Sequence, residues 1–558
     1  MEWHYSHGLR YGDRYYSLGD GQPSRDINML CEVADQIEPA PPLPENENNS
    51  FGCMREGNPI SPSTGEKKQV ESDFLDSGAH PLHLLRTFRS IWATGSPRTG
   101  TDPGMGGAWT HNHAISLNLK DGVASITAGG EGVYTFSQQM VDGRLAQVRN
   151  QFGRSLSFAY DLRGMLANVT APDGQIFRYA YDTGTTLSRV SYADSTSRSY
   201  LYENGSFPFA LTGIIDEKSI RFASFAYDGQ GRGIRTEHAG GANRYEVAYQ
   251  PDGSSAAVTD PIGTVRLKHY AQRQGKSAVI DSDRPPAIGP AIRSRQQAND
   301  GLLISETDFL GVTTEYTWDS LRQLKLSVTK AAGRTEEQAR STQWHPTFRL
   351  PVLVTEAGRS VAYTYDARGN LLDTTITDTA TGQTRNWAWS WTAQGLLASE
   401  TDPRGQVWNF EYDGVGNRTL VRDPLGYESR YTYNGAGRLL AETVANRAST
   451  SFVWDSRGRL TSRTTSGETT SYLYEPNGLL AKVSLPNGNV VSYVYDSAQR
   501  LTSVSDLRGA SVQYTLDRAG NRTRETVSDN AGAIALITTR AINSLNRVES
   551  IGGASSLR

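Results

Sequence analysis

The sequence predicts an all-β fold: a long antiparallel meander of hairpins curling into a spiral or hollow wall, with a small β-rich head before it. Three observations predict it. One phrase, aromatic-x-aromatic-Asp-x-x-Gly-Arg-x-Leu, recurs 19 times from Gln139 to the C-terminus. Each copy carries two turn signals, about ten residues apart. Between the turns lie short stretches of Tyr, Val, Thr and Phe, residue types that suit a pleated surface.

Taken in chain order, residues 1–50 hold no repeat and end in a Pro/Asn-rich run from Pro39, which reads as a linker. Residues 51–135 form the head. It contains Gly57-Asn-Pro-Ile-Ser-Pro-Ser-Thr-Gly-Glu66, Glu71-Ser-Asp73, Pro81 to Ser90, and Gly104-Met-Gly-Gly-Ala-Trp-Thr-His-Asn-His113. The only cysteines are Cys31 and Cys53. A disulfide between them would contribute about 3 kcal/mol in the chain-entropy picture; two separate thiols are the alternative, and the pair does not fix the compartment.

Residues 136–558 form the array, about 19 units of about 21 residues each. Steps between second aromatics lengthen to 25 or 26 residues at 202 to 227, 318 to 344, 365 to 391 and 516 to 542. The first turn of a unit is Asp-x-x-Gly, as in Asp366/Gly369, Asp413/Gly416, Asp455/Gly458 and Asp517/Gly520. Asp accepts a backbone N–H two residues on, and Gly supplies a positive φ. The second is a Pro/Gly turn such as Pro172-Asp-Gly174 or Pro486-Asn-Gly488. Aromatics at i and i+2 share one strand face.

A single hairpin cannot stand alone. Burying two aromatics and a Leu gains roughly 5–8 kcal/mol, whereas ordering 21 residues costs about 30 kcal/mol. Neighbouring units must therefore share stability. About 38 strands at ~4.8 Å each would make a sheet some 180 Å along its edge, and a twisted sheet of that size curls. A doubled period approaches a propeller blade, but residues 391–516 show no odd–even alternation.

Composition excludes several function classes. Net charge is −3, with 56 basic and 59 acidic residues interspersed, so no basic footprint for nucleic acid appears. No apolar run reaches the ~18 residues of a membrane span. The N-terminus lacks the basic start and apolar run of a secretory signal. Neither a Ser-His-Asp context, a phosphate-cradling loop nor His-Glu-x-x-His occurs, so the expectation is a non-enzymatic chain without cofactor. His111 and His113 alternate on one strand face, a geometry that suits Zn²⁺, but no third ligand at a ligand spacing completes a set. The exposed-aromatic candidates are Trp387, Trp389, Trp391 and Trp408; facing inward they pack the wall, facing outward they form a platform for a glycan or a partner.

These head motifs and repeats resemble the bacterial RHS/YD-repeat family, related in its repeats to the teneurins and insecticidal toxin-complex shells. The resemblance runs from about residue 55 to the end. It implies a hollow β-shell, secreted or at the cell surface, that encloses or presents a C-terminal effector encoded downstream. Family members that carry effectors end the shell with an Asp-Pro-x-Gly-x-x-Gly-Gly plug where self-cleavage occurs. This chain departs there: it stops after a degenerate unit at Ile542-Asn543. The alternative is a surface adhesin that binds carbohydrate through an open aromatic array.

Overall fold

The computed structural model describes residues 60–555 apart from 78–80, 94–103, 115, 121–122, 128–135, 142–143, 184–185, 274–275, 287–290 and 446. Cys31, Cys53 and the linker from Pro39 lie outside the described residues. Everything described falls within one compact unit, Cys53–Arg558.

Almost every element is a strand. From Phe136–Val141 to Val548–Ser555 the strands follow one another in sequence order, each paired antiparallel with its chain neighbours. The alternation sets two faces. In Ile176–Tyr181, Phe177 and Tyr179 are buried while Arg178 and Ala180 are exposed. Farther along, the residues between the aromatics are the exposed ones, with Val453, Leu473 and Val494 at 56%, 60% and 54%.

The first turns headed by Asp or Asn share one construction, whereas those headed by Ala298, His345, Thr392 and Glu475 lack that side chain. In Asp366–Asn370, Asp366 N–H donates to the Asn370 carbonyl and Gly369 N–H to the Asp366 carbonyl. Asp366 Oδ1 accepts from the amides of both Arg368 and Asn370, at 2.8 and 2.9 Å. Its Oδ2 accepts from the Asn370 side chain. The Asp of the phrase therefore holds two amides, and the Asn or Arg four residues on holds the Asp in turn; Arg459 and Arg500 do the same. The register then shifts by one residue opposite the second aromatic, as at Thr364/Tyr365, Val453/Trp454 and Val494/Tyr495. A type I turn closed by a positive-φ residue with such a bulge is a common hairpin end.

The second aromatic then fastens the start of the preceding strand. Tyr412 Oη donates to the Leu397 carbonyl at 2.8 Å, Tyr495 Oη to Leu480 at 3.0 Å and Trp454 Nε1 to Leu439 at 2.7 Å. Tyr, Trp and Leu positions of the phrase thus meet at one point per unit. Tyr412→Phe is expected to lower stability by about 1 kcal/mol; a melting temperature equal to wild type would remove this bond from the account.

The sheet winds past itself. Gln151 Nε2 donates to the Gln394 carbonyl, Arg438 pairs with Asp173, and Thr264 Oγ1 donates to the Ser544 carbonyl, across separations of 243, 265 and 280 residues. Between these lie Arg459 with Asp194, Gln499 with Asp216, and the Asn243 amide with the Arg518 carbonyl. Pro/Gly-type turns of the first lap meet Asp-type turns of the second along one seam. One lap takes about 21–25 strands; at ~4.8 Å per strand the wall is roughly 100–120 Å around and about 32–38 Å across. Side-chain bonds and the single Asn243–Arg518 backbone bond, not a strand ladder, join the laps, so among the described residues the sheet is an open spiral.

The head is a four-stranded sheet: Ile60–Ser61, Glu66–Phe74, Leu84–Arg89 and Trp109–His111 in that order. It has no separate core. Phe74, Leu82, Phe88 and Trp109 pack with Phe158, Phe177, Tyr179 and Tyr200 of the array in one apolar cluster. The aromatic face of the first strands is therefore the covered one. Side chains converge on a concave face and splay on a convex one, and the half-buried aromatics against the exposed residues between them mark the aromatic face as the inner one.

Candidate functional site

Two regions of the inner face differ in what covers them. Under the head, the aromatic face is closed by a buried charge network. Glu66–Phe74 turns Glu71 and Asp73 toward the array, while Leu84–Arg89 places Arg86 between Leu84 and Phe88 on its buried side. Arg86 donates to both Asp73 oxygens at 2.6 and 2.8 Å and to Tyr200 Oη at 2.9 Å. Tyr179 Oη donates to Asp73 Oδ2 at 2.7 Å. Both side chains of the ion pair are 0% exposed. Burial works against the Arg86 charge, but Asp73 together with Tyr200 and Tyr179 outweighs it and raises the guanidinium further; burial pushes the Tyr179 phenol well up. The Trp109 indole donates to Tyr202 Oη, which ties the last head strand to the array.

A second chain of charges crosses three layers. Glu71 of the head pairs with Arg198 of the first lap at 2.7 Å, Arg198 with Glu217 at 3.2 Å, and Glu217 with Arg457 of the second lap at 3.4 Å. Arg457 also lies 4.1 Å over the Tyr192 ring. Head, first lap and second lap are thereby fixed to one another at one place.

His111 and His113 make local contacts. His113 Nε2 donates to the His83 carbonyl at 2.7 Å, and the His111 ring stacks on Phe158 at 5.2 Å. Among the described residues no group of three His, Cys, Asp or Glu could hold a metal. Burial lowers His113 to about 4, and burial with Lys67 and Arg500 nearby lowers His238 to about 4. A folded-state pKa below the unfolded one means the unfolded chain takes up the proton first. The stability from neutral His113 is thus full above about pH 6.5 and is lost as pH falls toward 4, by roughly 2–3 kcal/mol. Thermal melts from pH 7 to 4 are expected to show that decline, with a shallower slope in His113→Gln.

Beyond the head, the inner face carries the four tryptophans, all partly buried. They are not equivalent. Trp391 Nε1 donates to the Leu371 carbonyl at 2.7 Å, the same bond that Tyr412, Trp454 and Tyr495 make at their own second-aromatic positions. Trp387 pairs across the ladder with Thr374, itself opposite Tyr363. Trp389 lies opposite Glu400, and Trp408 lies opposite Glu400 from the other side. Trp389, Glu400 and Trp408 therefore form one row on one face. Sequence reading found the tryptophans through their spacing; Glu400 needed the register. The turn residues Asp366, Gly369, Asp413, Gly416, Asp455, Gly458, Asp517 and Gly520 sit at hairpin ends, with all four glycines at positive φ.

Residues 427–539 match the teneurin YD-shell family, residues 391–428 the RHS repeat, and residues 57–136 a domain of unknown function (DUF6531). Two solved structures are similar in fold. The crystal structure of TcdB2-TccC3 without its hypervariable C-terminal region aligns with TM-score 0.54 and 14% identity over 94% of this chain and 28% of that one. That of TcdB2-TccC3-Cdc42 aligns with TM-score 0.53 and 13% identity over 94% and 29%. The chain thus spans under a third of these relatives. No curated protein matches it. Among the described residues no helix is long and apolar enough to cross a membrane.

Proposed function

We propose, from the premise that this chain carries RHS and teneurin-type YD-shell repeats, that it is a non-enzymatic wall around a polypeptide. It acts as the front part of a secreted toxin or contact-dependent competition protein whose effector is encoded downstream. The observation that carries this reading is the two-lap spiral with its aromatic face turned inward and the head seated on that face. A wall about 32–38 Å across leaves room for an extended or loosely packed chain. The fold likeness to TcdB2-TccC3 supports the same reading.

Intact mass of the native product tests it. The expected result is a mass above that of 558 residues, with a protease-protected fragment that does not belong to them. A native mass of 558 residues and no protected fragment would sink the container. A second reading, a surface adhesin for glycans, requires that these inner-face tryptophans be reached through the open spiral. Glycan-array binding lost in Trp389→Ala and Trp408→Ala would support it; Trp391 is unsuitable for that test because its indole holds the wall.

A further inference from the structure

We propose that Trp389, Glu400 and Trp408 form a binding site for a cationic side chain, an arginine or lysine of an extended polypeptide. The site does not depend on the container reading, although a bound cargo would be one source of such a side chain.

The argument starts from how the array treats its other aromatics. Arg144 lies over Tyr160, Arg232 over Tyr249, Lys325 over Trp318, Arg418 over Phe410, Arg459 over Tyr474 and Arg522 over Tyr514, at 4.0–5.8 Å. The wall thus caps some of its aromatic rings with cations of its own. Among the described residues no cation caps Trp389 or Trp408, and neither indole N–H makes a hydrogen bond. Glu400 between them makes no ion pair or hydrogen bond. Two rings and a carboxylate thus stand side by side, an arrangement complementary to a cation.

Geometry fits a cationic group. The three residues are directly opposite across successive ladders, so Trp389 and Trp408 stand two strands apart, about 9.6 Å. A cation midway lies about 5 Å from each indole, inside the roughly 6 Å over which an aromatic face attracts it. A planar guanidinium there presents its N–H fork to Glu400, the geometry in which arginine and carboxylate pair best. A neutral sugar would use the rings but leave the carboxylate without a positive partner. Outside the row, Trp387 extends the surface along the same strand for the rest of the chain. The head reaches the first lap and the Ala436 turn, where Ser77 N–H donates to the Ala436 carbonyl, and among the described residues no hydrogen bond or ring contact ties it to this row.

The test is a titration of the full chain, ¹⁵N-labelled at its tryptophan indoles, with Nα-acetyl-argininamide. The indole signals of Trp389 and Trp408, assigned by Trp→Phe variants, are expected to shift while that of Trp391 stays. Glu400→Gln is expected to weaken binding about tenfold, because the carboxylate supplies the charge-assisted bond. The citrulline analogue, isosteric but neutral, is expected to bind at least about tenfold more weakly. Equal binding of the two analogues, or a Glu400→Gln variant that binds as wild type, would overturn the proposal. A shift produced by a neutral disaccharide and not by argininamide would overturn it as well, and would move the row to the adhesin reading. An unchanged far-ultraviolet spectrum for Glu400→Gln separates lost binding from lost fold. Failure of the container reading, tested by native mass, leaves this titration unaffected.

Discussion

Arg86→Ala is expected to destabilise the protein by about 3–5 kcal/mol, more than any exposed charge, because it strands a carboxylate in the interior. Asp73 would keep the Tyr179 hydroxyl but lose both guanidinium bonds, in a place where its side chain is closed to bulk solvent. Arg86 also lies 5.2 Å from the Trp109 ring and 5.3 Å from Tyr200, so the truncation opens space at the centre of the shared core. Hydrogen exchange should rise first in Glu66–Phe74 and Leu84–Arg89, while the second lap stays protected. Replacing both partners, Arg86→Met with Asp73→Leu, is expected to recover much of the loss, since two apolar groups leave no charge unpaired. A single variant with wild-type melting and exchange would show that the apolar cluster alone seats the head.

Gly458→Val is expected to cost roughly 3 kcal/mol or more, from two separable sources. Gly458 has φ 75°, where a β-branched residue is strained by about 1–2 kcal/mol. Its surroundings add the rest. A Cβ there collides with the Arg438 guanidinium, which pairs with Asp173 of the first lap at 2.6 Å. Both ends of that pair are nearly enclosed, at 7% and 10% exposure, so displacing Arg438 breaks a seam contact as well as a turn. Gly467 provides the control. It has φ 83° with open space around it, so Gly467→Val carries only the conformational cost. Urea midpoints of the two variants give the seam contribution as their difference. Equal losses would mean that Arg438 moves aside freely.

The array was legible because its period is set locally. Turn chemistry and strand alternation act within about 21 residues, and a chain that repeats them 19 times states its architecture many times over. The bulge was not legible: it follows from the Asp accepting two amides instead of one, and from the aromatic reaching the carbonyl some 15 residues back. The seam was hidden because its partners lie far apart and share no motif. The residues at it even break the phrase, as Gln499 does. It takes the positive-φ slot of Gly at φ 64° and uses its side chain on Asp216.

The head misleads for a physical reason. Lys67, Glu71 and Asp73 alternate on the inward side of their strand while Val70 is exposed, the reverse of an ordinary half-buried strand. Charges can face inward there because Arg86 and Arg198 wait for them. One signal was available: Leu84-x-Arg86-x-Phe88 puts a cation on an apolar stripe, which in a buried strand requires an anion opposite. For the candidate site, the tryptophans announced themselves by composition, but their roles diverge only through hydrogen bonds and register.

The seam behaves like the thread of a screw. Each later turn must arrive above a chosen earlier one, so the number of units between them acts as a pitch. Excising one whole unit between Asp173 and Arg438 would leave every local hairpin intact yet slide the upper coil along the lower by one tooth, presenting Arg459 where Arg438 had been. Growth beyond the upper coil shifts nothing beneath it. Length can therefore vary freely at one end of such a wall, while within the coils insertions are confined to amounts that keep the teeth in mesh.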